Sequence, residues 1–286
     1  DVAMYQAKSA GRNTARFFDP VMQAAAATHA AMAQEIKVGI ERNEFVLHYQ
    51  VQIDARGHCT GAEALVRWNH RVRGLVSPAH FIPLAEETGM ILPLGYWVLD
   101  SACQQLAAWS RNPATAHWTL AVNVSAAQLA QPGFVESVKK ALLHSQAPAT
   151  QLKLELTESM LANDVEGIIT KMMDIKALGV NFSLDDFGTG YSSLSYLKRL
   201  PLSQLKIDKS FVRDVLTDPS DAVIARTVVA LGHSLGLTVI AEGVETPEQR
   251  DALAAMQCDA FQGYFFGRPV PPEALMAVMA IQLPAP

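Results

Sequence analysis

Cysteine is scarce in this 286-residue sequence: Cys59, Cys103 and Cys258 are far apart, odd in number and free of any C-x-x-C pair. That excludes a disulfide-stapled scaffold and fits a reducing compartment, with the three thiols as core fillers. Long apolar runs are missing as well. The most apolar stretch, Met90 to Leu99, falls far short of the ~20 residues needed to cross a bilayer and contains Pro93, so a soluble chain is expected. Positive charge is not in excess: Lys+Arg number 23 against Asp+Glu 28, the net charge is -5, and no long basic run occurs. A groove that binds a nucleic-acid polymer by neutralising its phosphates is thereby excluded, and any phosphate ligand needs a local source of positive charge. The eight histidines show neither H-E-x-x-H nor paired spacing, so each reads as structural or surface rather than as a metal ligand. The start, Asp1-Val-Ala-Met-Tyr5, has neither an initiator Met nor a charged region ahead of an apolar one, so it reads as a cut rather than a signal peptide.

What is present is apolar mass. Half of the residues are hydrophobic and 18% are charged, enough to bury a sizeable core. A prior of about 150 residues per domain allows one or two domains, although a closed α/β barrel often runs to roughly 250 as one. Helical spacing from Pro20 to Asn43 predicts one long helix opened by Pro20. Phe45–Ile53 and Cys59–Trp68 read as strands, and Asp54–Gly57 between them is too short for a helical crossover, so they pair antiparallel. Strand then alternates with helix: Trp118–Val124, Leu152–Leu156, Val180–Asp186, Gln204–Asp208, Thr238–Glu242 and Ala260–Tyr264. The pattern predicts an α/β fold, a TIM-like (β/α)8 barrel with the first strand antiparallel to the others.

In such a barrel the active site forms at the carboxyl ends of the strands. Glu63, Asn123, Glu155, Asp185-Asp186, Lys206 with Asp208, Glu242 and Gln262 fall on or at the ends of successive predicted strands. Carboxylates crowded at one mouth must be protonated or share cations. Glu63, Asn123, Glu155 and Asp185 are hard oxygen donors, which suits Mg²⁺ or Mn²⁺ rather than zinc. The Asp185-Asp186 pair lets one carboxylate bridge two ions, and two ions about 3.5 to 4 Å apart clamp the attacking and leaving oxygens of a phosphoryl displacement. Lys206, between Leu205 and Ile207, is a costly interior cation. It reads either as the group that orients a metal-bound water or as a salt-bridge partner of Asp208 or Asp186.

Gly188 and Gly190, just beyond the carboxylates in Asp185-Asp-Phe-Gly-Thr-Gly-Tyr-Ser-Ser193, make a poor phosphate cradle, lacking a third glycine and a Lys-Ser/Thr. They read as a hinged loop with Glu158 as its anchor. Gly232-His-Ser-Leu-Gly236 matches the serine-hydrolase string but ends a helical stretch ahead of a strand, the wrong context for a nucleophile elbow. Asn123-Val-Ser and Asn181-Phe-Ser are glycosylation sequons on strands expected to be buried, which argues against their use.

Taken together, Glu63-Ala-Leu-Val-Arg-Trp68, Asn123-Val-Ser125, Glu155-Leu-Thr-Glu158, Asp185-Asp-Phe-Gly-Thr-Gly-Tyr191, Lys206-Ile-Asp208, Glu242-Gly-Val-Glu245 and Gln262-Gly-Tyr264 with Pro269 resemble the EAL-type cyclic di-GMP phosphodiesterases of bacterial signalling. The resemblance covers about residues 25 to 280 in order. It implies hydrolysis of cyclic di-GMP to linear pGpG by water activated between two Mg²⁺ or Mn²⁺ ions. Glu63, Asn123, Glu155 and Asp185 would hold one ion, and Asp185 with Asp186 the other. Lys206 and Asp186 would position the water, with Glu242 and Gln262 completing the site. Gln50, Leu65 and Arg67 would touch the dinucleotide, together with Asn123, Asp208 and Pro269, the arginine supplying a cation for phosphate. Glu158 and Glu245 would support the loop of Gly188, Thr189, Gly190 and Tyr191, through which family members link homodimerisation to activity.

Val51 stands where the family usually has Pro after Tyr-Gln, a departure that removes no ligand. Residues 1 to 20 resemble the closing segment of a GGDEF diguanylate cyclase domain, which would make residues 21–286 the phosphodiesterase barrel of a larger protein with sensor domains upstream. A cytoplasmic domain is implied, with any membrane anchor upstream. A catalytically silent cyclic di-GMP receptor is the alternative. A barrel glycosidase using Glu155 and Glu242 would leave Asn123, Asp185, Asp186 and Lys206 without a role, and 7% aromatics offer little sugar stacking.

Overall fold

Period-two alternation in the first strand, β1 (Phe45–Asp54), sends Leu47, Tyr49, Val51 and Ile53 to one face and Gln50 and Gln52 to the other. The computed structural model describes residues 20–162, 164–188 and 194–282. It divides into two compact units: one holds the described residues up to Val46 with Arg67–Leu94, the other Leu47–Val66 with the chain from Gly95 onward.

The larger unit is a closed barrel of eight strands. β1 pairs with β2 (Cys59–His70), and the sheet continues through β4 (Thr119–Asn123), β5 (Leu152–Thr157), β6 (Asn181–Phe187), β7 (Gln204–Ile207), β8 (Thr238–Ala241) and β9 (Ala260–Phe261) back to β1. Neighbours from β2 to β9 are parallel, and β1 meets β9 antiparallel through Ile53–Phe261 and Asp54–Ala260. β2 can lie close on β4 because Gly61 has no side chain there: an added Cβ would stand 2.2 Å from the Thr119 carbonyl oxygen. The last predicted strand is shorter than expected. It stops at Phe261 because Gly263 packs directly on the Val244 backbone, where the chain turns away.

Outward-facing residues such as Leu120, Leu154, Phe182, Leu205 and Val239 are buried against the surrounding helices and form the main core. Cys59, Cys103 and Cys258 are reduced and buried, and burial pushes each thiol up to about 12. Helix Pro219–Ser234 begins with Pro219 behind the Asp218 cap, and helix Pro247–Ala255 begins with a Thr246–Gln249 capping box. Gly232-His-Ser-Leu-Gly236 closes the first of these helices ahead of β8, as its context predicted.

Lys171, on helix Val165–Ala177, donates to the carbonyls of Leu129, Ala130 and Gln131 at 2.6, 2.9 and 3.1 Å, closing the open end of helix Ala126–Ala130. Lys171→Met is therefore expected to cost about 1–2 kcal/mol. Urea unfolding should show a lower midpoint at unchanged slope; an unmoved midpoint would mean that water serves those carbonyls as well.

In the smaller unit the helix Pro20–Glu41 ends two residues ahead of Asn43, which takes a left-handed φ of 55°. Trp68, fully buried, stacks on Phe45 at 5.2 Å, meets Phe81 edge-on at 5.8 Å and donates its indole N–H to Glu44. The short strand β3 (Gly74–Val76), which the sequence pattern did not announce, pairs with the end of β2. Among the described residues no helix is long and apolar enough to cross a membrane.

Candidate active site

The inside of the barrel is polar where such barrels ordinarily hold branched apolar side chains. Leu205 and Ile207 face outward, so alternation turns Lys206 inward, where it is 0% exposed. Its Nζ lies 2.6 Å from Glu155 Oε2, 3.2 Å from Asp185 Oδ2 and 3.7 Å from Glu63 Oε2, and it also pairs with Glu242. The salt bridges it makes thus reach four carboxylates on or just past other strands rather than Asp208, its neighbour two residues on.

One ammonium faces four acids. Burial alone would pull the Lys206 pKa down, but Glu155, Glu242, Glu63 and Asp185 together hold it well above the ordinary lysine value. Burial drives Glu155 well above the usual carboxylate range, with Lys206 opposing and the other acids reinforcing, and pushes Glu242 to about 8. Among the described residues Glu155 Oε1 is buried with no hydrogen-bond partner. The cluster is short of positive charge.

Glu63, at the middle of β2, accepts from Asn123 Nδ2 at 2.6 Å and from Gln262 Nε2 at 2.5 Å. Asn123 is exposed at the end of β4, not buried as its strand position suggested, and its amide nitrogen is the group that Glu63 engages. Asn181, the other sequon residue, is half-buried. Gln262 is fixed at both ends of its amide: Nε2 also donates to Gln50 Oε1 at 3.1 Å, and Oε1 accepts from Gln52 at 2.9 Å. Gln50 in turn donates to the Gly267 carbonyl. Val51, between the two glutamines, points away into the core, so the residue at this position does not face the site.

Asp185 and Asp186 would face opposite ways on a regular strand. The β6–β7 register shifts between Leu184 and Phe187, and Asp186 takes a left-handed φ of 54°, a conformation that costs a non-glycine about 1–2 kcal/mol. Strain of this kind concentrates at functional positions. Burial, Asp185 and Asp208 raise the Asp186 carboxyl to about 6 against the pull of Lys206. Asp208, which follows β7, is pushed up by burial, but bonds from the Ser210 hydroxyl and amide and from Asp186 outweigh it and hold it below the usual range. Past Phe187, Gly188 has φ 99° and donates its N–H to the buried Glu158 at 3.1 Å. Thr189, Gly190 and Tyr191 lie outside the described residues, as does the segment resembling a GGDEF terminus.

Beside the acids opens a cavity of ≈ 370 Å³ lined by Gln50, Glu63, Leu65, Glu242, Glu245 and Gln262, with Lys209, Tyr264 and two glycines completing its wall. Arg67 belongs to the smaller unit, half-buried on β2. Pro269 is half-buried next to Val270, which bridges to Tyr49.

Several inward residues escaped the sequence reading. Lys153 donates to Gln204 Oε1 at 2.8 Å, Ser183 bonds the same oxygen at 3.3 Å, and burial pulls the Lys153 pKa down to about 8. The signal was available: Lys153, Ser183 and Gln204 each stand two residues before a predicted site residue on its strand. Gln52 stands two after Gln50 because β1 runs the other way.

The family model described as the EAL domain matches residues 33–269. The chain belongs to the EAL domain family. MucR of Pseudomonas aeruginosa, a bifunctional diguanylate cyclase/cyclic di-GMP phosphodiesterase, is 46% identical over 98% of this chain and 41% of that protein. The cyclic di-GMP phosphodiesterase NbdA of the same organism is 41% identical over 96% of this chain and 35% of its own length. This EAL domain thus spans less than half of these curated relatives. A solved structure of the PaMucR phosphodiesterase in complex with c-di-GMP superposes with a TM-score of 0.83 at 46% identity, covering 86% of this chain and 99% of that one. The FimX EAL domain of P. aeruginosa bound to c-di-GMP gives a TM-score of 0.75 at 25% identity, over 85% and 96%.

Among the described residues no three His, Cys, Asp or Glu side chains stand as a ready metal cluster, since four of the acids converge on the Lys206 ammonium. The donor set nevertheless fits a hard divalent cation: all donors are oxygens, and Glu155 Oε1 is orphaned.

Proposed function

We propose that this EAL domain hydrolyses one phosphodiester of cyclic di-GMP to linear 5'-pGpG. The observation that carries the reading is the largely buried cluster of Glu63, Glu155, Asp185 and Glu242 around Lys206, beside a cavity at the carboxyl ends of the strands. Glu63, Asn123, Glu155 and Asp185 would hold one Mg²⁺ or Mn²⁺, and Asp185 with Asp186 a second. When bound, such ions polarise the phosphate and supply a nucleophilic water near neutral pH.

The protein's own part is orientation and charge. Lys206 and Asp186 orient the attacking water, and Lys206 keeps the acids from repelling one another apart. Gln262, its amide direction set by Gln50, Gln52 and Glu63, holds Glu63 in place, and Glu242 closes the site. Gln50 and Leu65 would face the dinucleotide from the cavity wall, and Asn123, Asp208 and Pro269 are its further contacts in this reading. Homodimerisation, upstream GGDEF and sensor domains and a cytoplasmic setting belong to the same reading, the last supported by three buried free thiols.

Incubation with cyclic di-GMP in Mg²⁺ and in excess chelator, followed by chromatography, tests the reaction. Conversion to pGpG with metal alone supports it. Tight binding without conversion assigns a receptor instead. Glu158→Ala, which removes the acceptor of the Gly188 N–H, is expected to lower the rate about tenfold, the scale of a lost orienting contact. An unchanged rate and metal dependence would dismiss the anchoring role.

A further inference from the structure

Lys209 lines the cavity, is exposed, and enters no salt bridge among the described residues. Every other charged residue of that wall is acidic: Glu63, Glu242 and Glu245. Lys206, enclosed behind Glu63 and Glu242, already answers those acids; a dianionic ligand entering the cavity still needs a cation it can reach, and among the described lining residues that cation is Lys209.

Its backbone is held in place. Gly243, at φ 68°, packs so closely that an added Cβ would stand 2.6 Å from Lys209 Cβ and 3.3 Å from its Cα. Asp208, bonded to the Ser210 N–H at 2.9 Å, fixes the turn in which Lys209 sits. The stem of Lys209 is thus set against the residue that follows Glu242, while the exposed ammonium, which helps hold the Asp208 carboxyl below the usual range, enters no salt bridge among the described residues.

Lys206 and Lys209 divide the work by position. Lys206 is enclosed by the acids; Lys209 is exposed and lines the adjoining cavity. A cyclic dinucleotide carries two phosphates, and the one that is not cleaved must lie away from the acids. We infer that Lys209 is a substrate-binding residue that takes this uncleaved phosphate. The inference rests on the cyclic di-GMP reading above.

The test compares wild type, Lys209→Met and Lys209→Arg, by calorimetric binding of cyclic di-GMP in chelator and by steady-state kinetics in Mg²⁺. For Lys209→Met the dissociation constant and KM are expected to rise about tenfold, with most of the loss in kcat/KM carried by KM and the melting temperature unmoved. Lys209→Arg should restore most of the affinity, and added salt should weaken the wild type more than the Met variant. Binding by Lys209→Met equal to wild type would return the residue to solvent. A fall in kcat at constant KM would place it at the reacting phosphate and overturn the assignment. A wild type that neither binds nor cleaves cyclic di-GMP would instead sink the functional reading, and this inference with it.

Discussion

Asp185→Asn is expected to lower turnover of cyclic di-GMP by about a thousandfold, the scale seen when one preorganised electrostatic contact to a transition state is removed. Asp185 is the acid that faces both halves of the site. Its Oδ1 accepts the Asp186 N–H at 2.8 Å and its Oδ2 meets Lys206 at 3.2 Å, so both oxygens are in use. Asparagine keeps the shape but offers one oxygen, and its NH₂ must face either the Asp186 amide or the Lys206 ammonium. The charge that would bridge two cations is lost at the same time. Loss of one acid from a crowded cluster also relieves repulsion, so the fold should survive. A far-UV spectrum and melting temperature close to wild type, with the rate gone, are the expected pair of results. A variant near the wild-type rate would remove Asp185 from the metal assignment.

Much of the barrel was legible because its strands obey alternation and its helices fill the gaps between them. Lys206 could be placed inward from Leu205 and Ile207 alone, and the reversal of β1 followed from the short Asp54–Gly57 connection. What period two could not give was the bulge at Asp185-Asp186, since a left-handed aspartate leaves no mark on composition or spacing. Ion-pair partners were equally hidden. Asp208 is two residues from Lys206 in sequence, yet the ammonium chooses Glu63 and Glu155 from other strands, because barrel closure and not chain proximity sets the distances. Site residues were read from strand ends, so the polar layer one step below, Lys153, Ser183 and Gln204, went unread although the same alternation marks it.

Lys206→Met is expected to produce the largest combined loss, about 3–5 kcal/mol of stability in the absence of divalent cation together with most of the activity. Methionine fills similar volume, so little of the cost is a cavity. The cost is electrostatic: Glu63, Glu155, Asp185 and Glu242 would face each other with no cation between them, and Glu155, fully enclosed, has no solvent to turn to. Replacing both charge and countercharge by apolar groups can be neutral, whereas removing one partner leaves the others buried and unpaired. Mg²⁺ should recover part of the deficit, because a cation that binds the native state alone stabilises it by mass action. The rate should not recover with it if Lys206 orients the water as proposed. Chemical unfolding with and without Mg²⁺, beside the rate measured at saturating metal, separates the two roles. If the variant unfolds where the wild type does, the acids do not depend on the ammonium; if Mg²⁺ restores the rate as well as the stability, Lys206 neutralises charge and has no part in orienting water.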